Sequence, residues 1–175
     1  MAFDGDVDGG GDYTGNVRFE RGFDLGSSVG TDHGVATVDA ANIALTATTI
    51  SRFDLVNGTA GGFDRLVATG SVAVDGQLVL DRDGAYVPAY GTAHRIIQAA
   101  TRSGTFDTVA GVTISPQLAL AVTYDATGVV VTAALPGDAD LDRTVDFDDL
   151  LALAGTTTSR AAQRGPTATS TAAAR

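Results

Sequence analysis

The chain has 175 residues and a net charge of −10 at pH 7, and all eleven of its basic residues are Arg. No basic patch is visible, so nucleic acid is not an expected partner, and the absence of Cys excludes disulfides and Cys-based zinc or nucleophile chemistry. No apolar run approaches the ~18–20 residues of a membrane span, while 22 Gly and only 6% aromatic residues favour β structure over a bulky helical core.

Residues 1–34 are rich in Gly and Asp, and we interpret them as a turn-rich segment or as the edge of a β-solenoid. Asp4, Asp6, Asp8 and Asp12 are spaced like the first ligands of a calcium loop, but no apolar helix follows them. The first residues lack the basic start and the apolar core of a signal peptide. We therefore expect the written N-terminus to be internal to a longer exported protein.

Residues 35–135 read as a β-strand domain, because short runs that alternate apolar and polar residues are separated by turn signals. The dipeptide Asp75-Gly76 predicts either a two-residue hairpin or a corner, and residues 125–128 are expected to join the last two strands. The predicted strands cover residues 16–19, 35–38, 43–48, 50–55, 63–68, 71–74, 77–80, 95–98, 118–124 and 129–133.

A Phe-Asp phrase recurs at irregular spacing, beginning at Phe23, Phe53, Phe63 and Phe106. A Gly precedes several copies and suits a corner of the chain. We expect each Phe to fill the interior and each Asp to face water or to cap a turn. This interpretation requires no function.

The run FDRLVATGSVAVDGQLVL (63–80), with GTAHRII (91–97) and GTFDTV (104–109), resembles the closing segment of autotransporter-associated β-strand repeat proteins. Such segments occur in large bacterial surface proteins, for example those of planctomycetes, and are often followed by a dockerin-like tail. The resemblance implies a β-solenoid or β-roll whose stacked strands bury a thin apolar core. A β-sandwich is the alternative that the strand pattern leaves open.

A twelve-residue segment after the last predicted strand has the ligand spacing of an EF-hand calcium loop. Carboxylates occur at its positions 1, 3, 5, 9 and 12, and position 7 would contribute a backbone carbonyl. Calcium prefers oxygen ligands, and short Asp side chains reach an ion from a tightly curled backbone. The predicted Ca²⁺ ligands are Asp138, Asp140, Asp142, Thr144, Asp146 and Asp149.

Behind the loop, Phe147, Leu150, Leu151 and Ala154 recur at i, i+3, i+4 and i+7, which predicts one amphipathic helix. Gly155 is suited to end it. The loop and helix together resemble one repeat of a type I dockerin. The resemblance implies calcium binding and a cohesin-like or other cell-surface partner, although dockerins carry two repeats and only one is readable here.

The loop departs from the dockerin pattern at position 6, where Arg143 replaces the usual Gly. This position often needs a positive φ, so the side chain is expected to cost about 1 kcal/mol. We assign residues 136–155 to a dockerin-like half-module. Residues 156–175 contain mainly Thr, Ala, Ser and Arg and are expected to form a disordered tail.

Little in the chain suggests catalysis. His33 and His94 are far apart and are expected at the surface or in turns, Glu20 is the only Glu, and the absence of Lys removes Walker, kinase and Schiff-base chemistry. No Gly-x-Ser-x-Gly elbow occurs. The sequence therefore predicts a protein that is not an enzyme.

The favoured interpretation is a non-catalytic exported structural, adhesion or scaffold-attachment protein with a calcium-binding dockerin-like module. It would work outside the cell or at the cell surface, in connection with polysaccharide catabolism, and polysaccharide is a second candidate partner. The alternative is the remnant of a β-helical polysaccharide-active enzyme. A carbohydrate-binding module is a weaker third interpretation, because four Tyr and no Trp give little material for an aromatic platform.

Overall fold

The computed structural model describes residues 2–3, 7–8, 11–12, 15–24, 37–59, 61–140, 142–152 and 154. Strands dominate in these residues, and helix is confined there to residues 147–152 and 154. The mainly β fold predicted from the sequence is confirmed. The predicted disordered tail, 156–175, lies outside the described residues.

The described residues contain seventeen strands, and several of them keep the predicted bounds. In chain order they are β1 (Ala2–Phe3), β2 (Val7–Asp8), β3 (Gly11–Asp12), β4 (Asn16–Phe19), β5 (Phe23–Asp24), β6 (Thr37–Ala40), β7 (Asn42–Leu45), β8 (Ile50–Leu55), β9 (Arg65–Ala68), β10 (Ser71–Val74), β11 (Gln77–Arg82), β12 (Ala93–Gln98), β13 (Thr101–Gly104), β14 (Thr108–Ala110), β15 (Thr113–Ser115), β16 (Leu118–Asp125) and β17 (Gly128–Ala134). The sequence did not predict β1, β2, β3, β5, β13, β14 or β15.

The strands pair in three sheets. Their orders are β1-β4-β7-β10-β13, β14-β11-β8-β5-β2, and β15-β16-β17-β12-β9-β6-β3. From β1 to β14 every pair is parallel, and each strand pairs with the third strand after it. The chain thus places one strand in each sheet before it returns to the first, which is typical of stacked coils. The predicted alternative, a β-sandwich, would instead need two facing antiparallel sheets.

Hydrogen bonds join successive coils at one corner, although the coils differ in length. The side-chain amide of Asn42 donates to Oδ1 of Asn16, 26 positions earlier, at 2.8 Å. Oδ1 of Asn42 accepts from the backbone N–H of Ser71, 29 positions later, at 2.7 Å. Because the strands stay in register while the connections vary, the sequence shows no strict repeat.

The third sheet changes direction at β12. β12 pairs antiparallel with β17, and β17, β16 and β15 continue as an antiparallel meander. The predicted connection between the last two strands is confirmed, since Asp125 pairs with Gly128. Arg95 reaches from β12 to the carboxylate of Asp125 at 2.6 Å, and this hydrogen bond holds the pKa of Asp125 well below its usual range.

The structure agrees with only part of the prediction for the recurring Phe-Asp phrase. Phe23 and Phe53 are buried with ring centroids 5.7 Å apart, as expected for interior side chains. Asp54 and Asp64 are buried as well, so their expected exposure to water is wrong. Oδ2 of Asp64 accepts the backbone N–H of Asp54 at 2.7 Å, so this buried carboxylate is hydrogen-bonded to the strand β8, and this bond does not cap a turn.

The Asp75-Gly76 dipeptide makes a corner, and the hairpin alternative is wrong. β10 and β11 flank it and belong to different sheets. Gly76 has φ 78°, and a Cβ there would collide with the carbonyl oxygens of Thr46 and Thr49. Only glycine fits this corner without strain.

The chain divides into two compact units, residues 1–136 and 137–175. In the first unit, β1, β2 and β3 are the terminal strands of the three sheets at one end. Asp8 and Asp12 therefore lie in different sheets, whereas Asp4 and Asp6 lie outside the described residues. In the part of the chain that the structure describes, no helix has the length and apolarity needed to cross a membrane.

Candidate functional site

The loop after β17 curls because short Asp side chains accept hydrogen bonds from backbone N–H groups further along the chain. The N–H of Asp142 donates to Oδ1 of Asp138 at 3.1 Å and to Oδ1 of Asp140 at 3.2 Å. The N–H of Thr144 donates to Oδ1 of Asp142 at 2.7 Å. Bonds of this kind satisfy a backbone that has no ladder partner and keep the loop compact.

The first and last positions of the loop tie its ends together. Oδ2 of Asp138 accepts the N–H of Arg143 at 3.1 Å. Oδ1 of Asp149 accepts the N–H of Ala139 at 2.6 Å, and its Oδ2 accepts the N–H of Asp146 at 2.7 Å. Asp138 and Asp149 are 3% and 6% exposed, whereas the other described carboxylates of the loop are exposed.

Three of the predicted ligands converge in a carboxylate cluster, defined as Asp138, Asp140 and Asp149. One oxygen of each lies within 4.8 Å of the other two. Two oxygens that are both roughly 2.3–2.6 Å from one Ca²⁺ are at most about 5 Å apart, so the spacing fits a single ion. The donors are all oxygens, which is the chemistry that Ca²⁺ prefers.

The other three predicted ligands lie in the same loop but outside the carboxylate cluster. Asp142 and Asp146 each accept a backbone N–H, from Thr144 and from Asp148. Both carboxylates and Thr144 are exposed. Because Ca²⁺ takes 6–8 oxygens, the carboxylates of Asp142 and Asp146 would have to move toward the cluster to complete the predicted set.

Negative charge is concentrated at this site. The pKa of Asp140 is raised, first by desolvation and further by the charges of Asp142, Asp149 and Asp138. The pKa of Asp149 is lowered, chiefly because it accepts a hydrogen bond from the backbone of Asp146. A bound cation would relieve the repulsion that raises the pKa of Asp140 and would favour its ionised form.

Arg143 adopts the backbone conformation that the sequence predicts for position 6 of the loop. Its φ is 79°, and among the described residues it is the one non-glycine with a positive φ. The prediction of a positive φ at this position is therefore confirmed, and the cost of about 1 kcal/mol stays a prediction. The positive φ lies at the turn that leads into the second half of the loop. The backbone N–H of Arg143 at this turn donates to Oδ2 of Asp138.

Replacing Arg143 by Gly is expected to strengthen Ca²⁺ binding by about 1 kcal/mol, or roughly fivefold, because Gly adopts this φ without a Cβ clash. Calorimetric titration measures the change. Arg143→Ala is the matched control, since it removes the guanidinium but keeps the Cβ. Equal affinities for the Gly and Ala variants would show that backbone strain is not the cause.

The helix behind the loop is present as predicted, and its apolar stripe is exposed. The apolar stripe is defined as Phe147, Leu150 and Leu151, which are 67%, 58% and 55% exposed. Their spacing places them on one face of the helix. A contiguous apolar surface of this kind is typical of a site where another protein surface binds.

His94 contradicts the sequence prediction, which placed it at the surface or in a turn. It lies in β12 and is fully buried, as is Ile96 two residues later. Side chains alternate across a strand, so a strand that starts at Ala93 would have predicted this burial. The predicted strand began at Arg95 and missed it, and His33 lies outside the described residues.

Comparisons of the chain with protein-family models, curated proteins and solved structures found no match. Its function is therefore argued from its own residues. Among the residues of the second unit that the structure describes, the carboxylate cluster and the apolar stripe bear on binding.

Proposed function

We propose that residues 137–154 bind one Ca²⁺ and form a dockerin-like half-module. The observation that carries the proposal is the convergence of Asp138, Asp140 and Asp149. An all-oxygen site suits Ca²⁺ better than Zn²⁺, which is usually bound by Cys and His, or Mg²⁺, which demands near-ideal octahedral geometry. Asp142, Asp146 and the carbonyl of Thr144 would complete the coordination.

We further propose that the first unit is a β-solenoid. The parallel pairing of each strand with the third strand after it supports this interpretation. Phenylalanine rings that pack between coils support it too, with the centroids of Phe23 in β5 and Phe53 in β8 5.7 Å apart. Such a body buries a thin apolar core and presents three sheet faces as a rigid support.

The protein is then a non-catalytic structural or attachment protein, exported to the cell surface or the surrounding medium. Weak calcium sites are useful there because the ion is abundant. The apolar stripe would contact a protein partner, either a cohesin-like domain or another surface protein. The dockerin resemblance points to assemblies that act on polysaccharides.

Titration with Ca²⁺, followed by calorimetry and far-ultraviolet circular dichroism, tests the proposal. We expect one ion per chain with a Kd of about 10⁻⁴–10⁻³ M, as for extracellular modules, and a gain of helix because binding is coupled to folding. Mg²⁺ at the same concentration is the control and should produce a smaller change. The absence of heat and of helix gain at millimolar Ca²⁺ would refute the site.

A further inference from the structure

A cluster in the first unit, defined as the buried His94 and Phe63 and the partly buried Tyr86, has no part in the proposed calcium site. His94 is 0% exposed. Its Nε2 is 2.9 Å from the hydroxyl of Tyr86, and its ring meets the rings of Phe63 and Tyr86 edge to face, with centroids 5.0 and 5.9 Å away. The imidazole therefore meets two aromatic rings, one of which carries its hydrogen-bond partner.

The members of this cluster come from separate segments. Tyr86 belongs to the loop of residues 83–92 between β11 and β12, and Phe63 lies between β8 and β9. His94 lies opposite Val131 in the antiparallel pair of β12 and β17. On its other side β12 pairs parallel with β9, so the third sheet changes from parallel to antiparallel pairing at this strand. The histidine thus holds the loop to the strand at which the sheet reverses.

The surroundings favour a neutral imidazole. Burial lowers the pKa of His94, and the nearby backbone groups of Val131 and Asn57 only partly offset this effect. No charged side chain contributes to the shift. Tyr86 is the titratable group that faces the ring, and burial raises its pKa, so it supplies no negative charge at neutral pH. A protonated His94 would be a buried cation without a counter-ion, which is strongly unfavourable.

We propose that His94 is an acid-sensitive latch: while neutral it holds the 83–92 loop to β12 through Tyr86, and its protonation releases the loop. The direction follows from linkage. Because the closed form has the lower pKa, the open form binds more protons, and the stability of the closed form is fully present above about pH 6.5 and is lost as the pH falls below that value.

Amide hydrogen exchange in residues 83–92, corrected for its intrinsic pH dependence, measures this release in the full chain. We expect the opening equilibrium to rise about tenfold for each pH unit below 6.5, down to the pKa of the closed form. Above about pH 5 most Asp side chains remain ionised, so the change reports on histidine. An equilibrium that is constant from pH 7.5 to pH 5 would overturn the proposal.

Three variants test whether the pH dependence of loop opening arises from His94. His94→Gln keeps a polar side chain but cannot be protonated, and it should abolish the pH dependence, whereas His33→Gln should leave it intact. Tyr86→Phe keeps the ring and should raise opening at every pH without changing its slope.

A wild-type titration of the His94 ring by nuclear magnetic resonance keeps the idea testable if His94→Gln does not fold. A pKa at or above 6.5, or a slope unchanged in a folded His94→Gln protein, would rule out the latch.

Discussion

Replacing Asp149 by Asn is expected to weaken Ca²⁺ binding at least tenfold, equivalent to ~1.4 kcal/mol. The last position of a calcium loop supplies two oxygens to the ion, and the amide offers one and no charge. The substitution also leaves one acceptor oxygen where Asp149 has two, which accept the N–H groups of Ala139 at 2.6 Å and Asp146 at 2.7 Å. Calorimetric titration and the helix signal report the loss together, since binding and ordering of residues 137–154 are coupled in this proposal.

Asp148→Asn is the matched control for this experiment. The substitution makes the same change in net charge at the neighbouring residue. Asp148 is exposed and lies outside the carboxylate cluster and the predicted ligand set. We expect an effect within about 0.5 kcal/mol, as for most surface substitutions. If Asp148→Asn weakened binding as much as Asp149→Asn, the ion would be attracted by the acidic surface in general and not by the proposed site.

Phe53→Ala should cost the first unit about 3–5 kcal/mol of unfolding free energy. Phe53 is fully buried in β8 and contacts the Phe23 ring of the adjacent coil. Truncation loses the transfer free energy of the ring and leaves a cavity that a thin core can fill only in part. Because domains are typically stable by 5–15 kcal/mol, a large share of the stability would be lost. Urea denaturation followed by circular dichroism measures the change without the need for a Trp.

Phe147→Ala makes the same substitution at a side chain that is 67% exposed. It should change the unfolding free energy by no more than about 0.5 kcal/mol. The comparison separates burial from side-chain chemistry. A loss below about 1 kcal/mol for Phe53→Ala would mean that the Phe23 and Phe53 rings are not part of a packed core.

Strands with an apolar face could be predicted from the sequence, and strands without one could not. The predicted runs 50–55 and 71–74 coincide with β8 and β10. β13 escaped prediction because its residues Thr101–Gly104 are mostly exposed and carry no apolar pattern. It is a strand because its backbone pairs with β10, about 30 positions earlier in the chain, and a local pattern cannot reveal such a partner.

The candidate site, like the strands, could be predicted from the sequence only in part. The spacing of five carboxylates predicted the loop, and the position of Arg143 predicted its positive φ, because both follow from local geometry. Which carboxylates converge depends on hydrogen bonds from individual N–H groups, such as that of Asp146 to Asp149, and the spacing does not encode those. The exposure of the apolar stripe depends on what packs against the helix, and the pattern alone does not state it.

The reversal of strand direction at β12 has a consequence for how such a chain can change in length. A duplicated coil inserted among the parallel strands would extend each sheet by one strand, or about 4.8 Å, and would leave the antiparallel pairs of β12, β17 and β16 untouched. Gene duplication could therefore set the reach of the first unit in discrete steps. The terminal meander would serve as a fixed end to the parallel stack, whatever the number of coils before it.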